Sequence, residues 1–311
     1  MHMPLFKRPE EKKAPEMPPE EVLQAFRQAC WDLYVSNLPD PKVVDTEDKK
    51  AAKEVSLPED VPRGFSIDPK TWIISFNSGD IPSDVLTLEE RVKLARSVFQ
   101  HEITHFTQVP ADGVTEAVLV DAAIKGFRDP TLTASNEMAK GCAYLTINFL
   151  GDLIGDTMLA KSNYGREDFH DLTAWRMRTF IEDAARAQKT QMAGGQPSLL
   201  WQALVTAYER MWDEDLGVDA IVKKRDPKAV AAAEQMVKTI GDDYRDRSTW
   251  EKKAGKFAEI LEPLIKLEGK SGKGNKGKSG EGGGGGGMSV PEDLKRQMGD
   301  PTESPTGKAG E

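Results

Sequence analysis

From Glu21 to Leu38, apolar residues fall at Val22, Leu23, Phe26, Ala29, Cys30, Leu33 and Tyr34, the spacing of one helical face, and Pro39 and Pro41 close the segment. The period changes at Thr71 to Asn77. There Trp72, Ile74 and Phe76 alternate with Thr71, Ile73 and Ser75, which predicts a strand, and Asn77-Ser78-Gly79-Asp80 is a turn signal. Thr87-Leu88-Glu89-Glu90 has capping-box form and opens a predicted helix to about Thr107. Val92, Ala95, Phe99, Ile103 and Phe106 make its core stripe, with Leu94, Val98, His101 and His105 on an adjoining face. Pro110 to Gly113 breaks that helix. Helical spacing resumes over Val114 to Phe127, then from Asn136 to about Lys161, with Ser135 as cap. Further helices are predicted at about Asp168–Met192, Pro197–Asp215, Pro227–Tyr244 and Thr249–Leu267. The fold class is therefore mainly α, or α+β with one small sheet.

The two ends do not share these patterns. Residues 1–20 are rich in Lys, Glu and Pro and read as a disordered arm; residues 45–53 are a charged loop or short exposed helix. From 269 to 311 the chain reads as a Lys/Gly-rich disordered tail, with six glycines at 282–287, which leaves 21–268 as the folded domain. Lys270, Lys273, Lys276 and Lys278 carry no interleaved aromatic residue for stacking on bases.

Composition narrows the class. A net charge of −9 favours a soluble protein and argues against a general nucleic-acid binder. Cys30 and Cys142 are the two cysteines; they form neither a disulfide framework nor a Cys-type zinc site, so a reduced, cytoplasmic setting is expected. The most apolar run, Leu145 to Ala160, is interrupted by Asp152 and Asp156 and is too short to span a membrane. The N-terminus lacks the apolar core of a signal peptide.

The chemistry gathers at His101-Glu102-Ile103-Thr104-His105, of the form H-E-x-x-H. On a helix the two histidines stand one turn apart on one face, so both imidazoles reach one metal ion. Glu102 lies about 100° round the helix, where it misses the ion but reaches a metal-bound water as general base. Two of the chain's four histidines lie at this spacing. A catalytic zinc requires a third protein ligand. Asn148, Asp152 and Asp156 share a face at i, i+4 and i+8, with Tyr144 one turn earlier, among Leu145, Ile147, Leu150, Leu153, Ile154, Met158 and Leu159. Carboxylates in so apolar a helix need partners. Asp152 is assigned as the ligand and Asp156 as acceptor for a ligand histidine's free N–H, with the reverse assignment open. Gly151 and Gly155 flank the acids and suit close approach of the histidine helix. His170, between Asp168 and Asp171, is a rival ligand read as a surface residue; Glu116 and Asp121 are further alternatives.

His101-Glu102-x-x-His105 followed by Ile147-Asn148-x-x-x-Asp152-Leu153-x-x-Asp156 resembles the gluzincin-like zinc metallopeptidase family associated with von Willebrand factor A domain proteins. The resemblance covers roughly residues 70–160. It implies a zincin-like domain with a strand before the HExxH helix and a helical subdomain after it. It also implies Zn²⁺ on His101, His105 and Asp152, with Asn148 and Asp156 around them. A von Willebrand A-domain protein and a MoxR-type ATPase are the implied partners. Family members usually carry Asn where this chain has Asp156, and often continue into an A-type domain that the tail here is too short to form. The expected function is zinc-dependent peptide hydrolysis. Alternatives are a catalytically silent zincin-fold interaction module and a DNA-associated protease of the SprT type. The strand at 71–77 is expected to pair with extended substrate or to turn its side chains into the core. Tyr144 is a candidate oxyanion partner or a packing residue, and Arg176 and Arg178 read as surface charges.

Overall fold

The computed structural model describes residues 17–44, 65–67, 71–77, 81, 86–110, 112–161, 168–191 and 197–271. Among them the chain is mostly helical. In order they form α1 (Pro19–Asp32), β1 (Lys42–Val44), β2 (Phe65–Ile67), β3 (Ile74–Asn77), α2 (Leu88–Thr107), α3 (Gly113–Gly126), α4 (Asn136–Ala160), α5 (Asp168–Gln191), α6 (Leu199–Trp212), α7 (Pro227–Ile240) and α8 (Trp250–Ser271). The expected arm falls largely on residues 1–16 and the expected tail on 272–311, both outside the described residues, as is the charged stretch at 45–53. Met17 is buried and α8 runs three residues past the expected boundary.

The helix starts follow the local sequence. At α2, the Thr87 hydroxyl accepts from Glu90 N–H while Glu90 accepts from Thr87 N–H at 2.8 Å, a reciprocal cap of about 1 kcal/mol. Asp112 caps α3 through Val114 and Thr115 N–H, Ser135 caps α4, and Asp226 caps α7 ahead of Pro227. Three ends depart from the pattern. The first helix stops at Asp32, not Leu38, because Tyr34 takes the left-handed conformation (φ 57°) and Val35 N–H returns to Cys30 C=O. α7 stops at Ile240, where Gly241 has φ 59°. The strand begins at Ile74 rather than Thr71, since Trp72 (φ 58°) breaks the extended chain and sets its ring edge-on against Phe106, 4.6 Å between centroids.

The sheet has the order β1–β3–β2. β1 runs parallel to β3, with Lys42 opposite Ser75, and β2 antiparallel, with Phe65 opposite Phe76. β3 is thus the central strand. Both of its edges are already hydrogen-bonded, so it cannot take an extended substrate by backbone pairing; the expectation of substrate pairing along 71–77 is corrected. Its side chains do face inward: Ile74 and Phe76 are fully buried.

Buried side chains form two clusters. The first joins α1, β3 and α2 through Val22, Phe26, Ile74, Phe76, Leu94 and Phe99. Phe76 stacks on Phe99 at 4.8 Å, and Phe26 meets Phe99 edge-on at 5.3 Å. Phe99 is the hinge of this packing, and full burial of such a ring is worth about 1.5–3 kcal/mol. The second and larger cluster gathers α3, α4, α6, α7 and α8. In it α3 crosses α8 on small residues. A Cβ on Gly126 would run into the Gly255 carbonyl, and one on Gly255 would stand 3.3 Å from Ala122 O. α2 belongs to the first cluster and α4 to the second, and these two helices pack together where the clusters meet.

Candidate metal centre

The seam between α2 and α4 brings the candidate residues together. His101 and His105 project from one face of α2 with ring centroids 5.0 Å apart and planes at 88°. Asp152 Oδ1 on α4 lies 3.3 Å from His105 Nε2 and 3.8 Å from His101 Nε2. Close approach of the helices makes these distances possible. A Cβ on Gly155 would stand 2.7 Å from Thr104 Oγ1, whereas one on Gly151 would make ordinary contacts of 3.7 Å with His105 Cε1 and Val109.

The remaining nitrogens have fixed partners. His105 Nδ1 lies 2.8 Å from Val109 C=O. A carbonyl only accepts, so that nitrogen carries the proton and donates. His101 Nδ1 lies 2.8 Å from Asp156 Oδ1 and donates to it. In a neutral imidazole this leaves Nε2 of both rings as the lone-pair nitrogen, and both face Asp152 Oδ1. One atom from each of His101, His105 and Asp152 lies within 4.8 Å of the others, a donor set that could hold a metal ion. A tetrahedral ion with bonds of about 2.1 Å spaces its ligand atoms about 3.4 Å apart, so the donor set and its spacing fit such an ion.

The two aspartates have different settings. Asp152 is 27 % exposed in its side chain, and the histidines 19 % and 20 %, so the cluster opens to solvent on one side. Asp156, at 2 %, is enclosed. Besides His101, its Oδ1 accepts from Arg176 Nη2 at 2.5 Å, and its Oδ2 accepts from Tyr208 Oη at 3.0 Å. Burial alone would raise the Asp156 carboxyl, but Arg176 and then His101 outweigh it and hold it well below the usual carboxylate range. Burial lowers His105, but the hydrogen bond and charge of Asp152 more than reverse this and carry it up to about 9. The carboxylate of Asp152, 3.3 Å from His105 Nε2, thus favours positive charge at this point of the cluster.

Glu102 is buried at 5 % exposure, and its carboxylate makes no hydrogen bond to a described residue. Burial pushes its carboxyl up, while the charges of His101 and His105 pull it down. A buried carboxylate beside an opening, its carboxyl pushed up by burial, is equipped to take a proton.

Other candidates lie elsewhere. His170 is half-exposed, 3.5 Å from Asp171, and outside the cluster; Asp121 pairs with Lys125, and Glu116 is also outside. Asn148, half-buried one turn before Asp152, makes no hydrogen bond to the histidines or aspartates. Tyr144 is half-buried a turn earlier still. Arg178 is a surface charge paired with Glu214. Arg176 is not: its guanidinium is buried and bridges Asp156 to Ser97 C=O, so its reading as a surface charge is corrected. Its spacing shows why, since Arg176 stands i+7 from Phe169 and i+4 from Leu172 on the buried face of α5. Tyr208 went unnoticed in the sequence because its neighbours Val205, Met211 and Trp212 mark it as one more core aromatic.

Neither thiol is a competing nucleophile. Burial pushes Cys142 up to about 11; burial and then Asp40 do the same to Cys30. Among the described residues no helix is long and apolar enough to cross a membrane. Comparison of the chain with protein-family models, curated proteins and solved structures finds no match.

Proposed function

We propose that this protein is a zinc-dependent metallopeptidase of zincin-like fold, with His101, His105 and Asp152 as ligands and Glu102 as general base. One observation carries the reading: a buried carboxylate, Glu102, that makes no hydrogen bond to a described residue, beside three convergent donors that open to solvent on one side. A structural site has no need of such a carboxylate, and closed structural sites use four protein ligands. Zn²⁺ bound there would act as a Lewis acid and bring an attacking water's pKa to near 7. Glu102 would accept a proton from an attacking water on a carboxylate oxygen and return it to the leaving amine nitrogen. His101 and His105 keep their Nδ1 protons throughout, on Asp156 and Val109 C=O. The free thiols suit a reduced, cytoplasmic compartment. Partnership with a von Willebrand A-domain protein and a MoxR-type ATPase rests on the sequence resemblance alone.

The test is metal content by elemental mass spectrometry, paired with cleavage of an unstructured protein substrate. The wild type should carry about one zinc per chain, His101→Ala and Asp152→Ala none, and Glu102→Gln should keep zinc but cut nothing. A wild type that takes up no zinc when supplied with it sinks the proposal.

A further inference from the structure

Asp156 is hydrogen-bonded from three helices at once: His101 on α2, Arg176 on α5 and Tyr208 on α6. Its carboxylate has two oxygens, and both are taken. Oδ2 is engaged by the Tyr208 hydroxyl; Oδ1 is shared between Arg176 Nη2 and His101 Nδ1. The guanidinium has a second anchor, because Nη1 donates to Ser97 C=O at 3.3 Å, one turn before His101 on the same helix. Arg176 thus ties Asp156 to the backbone of the helix that bears the metal-facing histidine. The side chain is 5 % exposed, and the described contacts of its guanidinium are Asp156 and the Ser97 carbonyl, so it acts on the site through the groups it holds in place.

Resting on the metal reading above, we infer that Arg176, seconded by Tyr208, is a positioning residue: by clamping Asp156 it fixes the ring orientation of His101 and so sets how tightly the site holds its metal. Without the guanidinium, Asp156 keeps only the tyrosine hydroxyl and the imidazole, and its carboxylate is free to rotate about its terminal torsion, where the preference is broad. His101 then loses the fixed acceptor that selects its Nδ1–H form. Outer partners of this kind change metal affinity by about 10–100-fold when removed. Lysine in place of arginine would keep a point charge beside Asp156 but could not hold the carboxylate and the Ser97 carbonyl in a fixed fork.

The experiment uses the full chain with Arg176→Gln, Arg176→Lys and Tyr208→Phe. Zinc affinity is read by competition with a chromophoric chelator, and ligand geometry by the visible spectrum of the cobalt-substituted protein. The form of the His101 ring is read by nitrogen-15 NMR on the metal-free protein in mildly alkaline buffer. Arg176→Gln should weaken zinc by about 10–100-fold, shift the cobalt bands and replace one ring form of His101 by a mixture; Arg176→Lys should recover part of each change, and Tyr208→Phe should show a smaller one. Loss of thermal stability with affinity, spectrum and ring form unchanged would reduce Arg176 to a structural residue and overturn the inference. If Arg176→Gln does not fold, Arg176→Lys and Tyr208→Phe carry the same readouts. A wild type that binds no metal refutes the metallopeptidase reading instead, and the His101 ring form in the metal-free variants still decides the role of Arg176.

Discussion

Three glycines in α4 offer a test of how the seam is built. Gly141 has nothing within 4 Å of where a Cβ would stand; Gly151 would make ordinary contacts; Gly155 would place its Cβ 2.7 Å from Thr104 Oγ1. Ordinary contact begins near 3.4 Å, so alanine at 155 falls about 0.7 Å short. Thr104 cannot easily give way. It is buried and β-branched, and its hydroxyl donates to His101 C=O at 2.6 Å. Gly→Ala inside an open helix gains about 1 kcal/mol. Overpacking of a tight contact costs about 1–3 kcal/mol. Gly141→Ala should therefore be about 1 kcal/mol more stable than the wild type, and Gly155→Ala about equal or up to about 2 kcal/mol less stable. The assay is thermal melting with chelator present, where each kcal/mol moves the Tm of a domain this size by about 2–4 °C. Zinc affinity should fall in Gly155→Ala and hold in Gly141→Ala, because only the former pushes Asp152 away from the histidines. In a Thr104→Ala background the penalty at 155 should largely vanish, a coupling of at least about 0.5 kcal/mol. Gly155→Ala as stable and as zinc-competent as Gly141→Ala would refute the close approach of α2 and α4.

Gly126→Ala should destabilise by about 3 kcal/mol or more, since its Cβ meets the rigid Gly255 carbonyl of α8; a urea midpoint unchanged from wild type would contradict the α3–α8 crossing. His105 is raised to about 9 in the metal-free protein. Its contribution is therefore complete below its ordinary value near 6.5 and is lost as pH rises through about 9. Zinc bound at His105 would displace that proton, so on the proposed reading calorimetry in buffers of differing ionisation enthalpy should show proton release on binding and affinity rising across this window. Asp156 is held low, so its contribution is present above about 3.9 and lost as pH falls through the acid range. Asp156→Asn should be less stable near neutrality and should lose little further stability on acidification; a wild-type-like acid profile in that variant would show that the Arg176–Asp156 pair is not the acid-sensitive contact.

Much of this was legible in the residues. The i, i+4 spacing of His101 and His105, the capping box at Thr87–Glu90 and the i, i+4, i+8 ladder of Asn148, Asp152 and Asp156 are local facts, and helix geometry turns each directly into a face. The apolar residues around the two aspartates likewise imply that each carboxylate needs a partner. Which partner each found was decided elsewhere. Asp152 faces the histidines while Asp156 is enclosed by Arg176 and Tyr208, because α5 and α6 close over Asp156 and leave Asp152, one turn earlier, part-exposed. The same long-range packing made β3 a central strand and gave the buried Arg176 its partners Asp156 and Ser97, whereas α1 ended six residues early, at Asp32, on a local left-handed turn at Tyr34. Spacing along one helix fixes direction over about a turn. Sharing one carboxylate among three helices depends on how those helices cross, and crossing is set by contacts between residues distant in the chain: Gly155 under Thr104, and Asp156 between residues 101, 176 and 208.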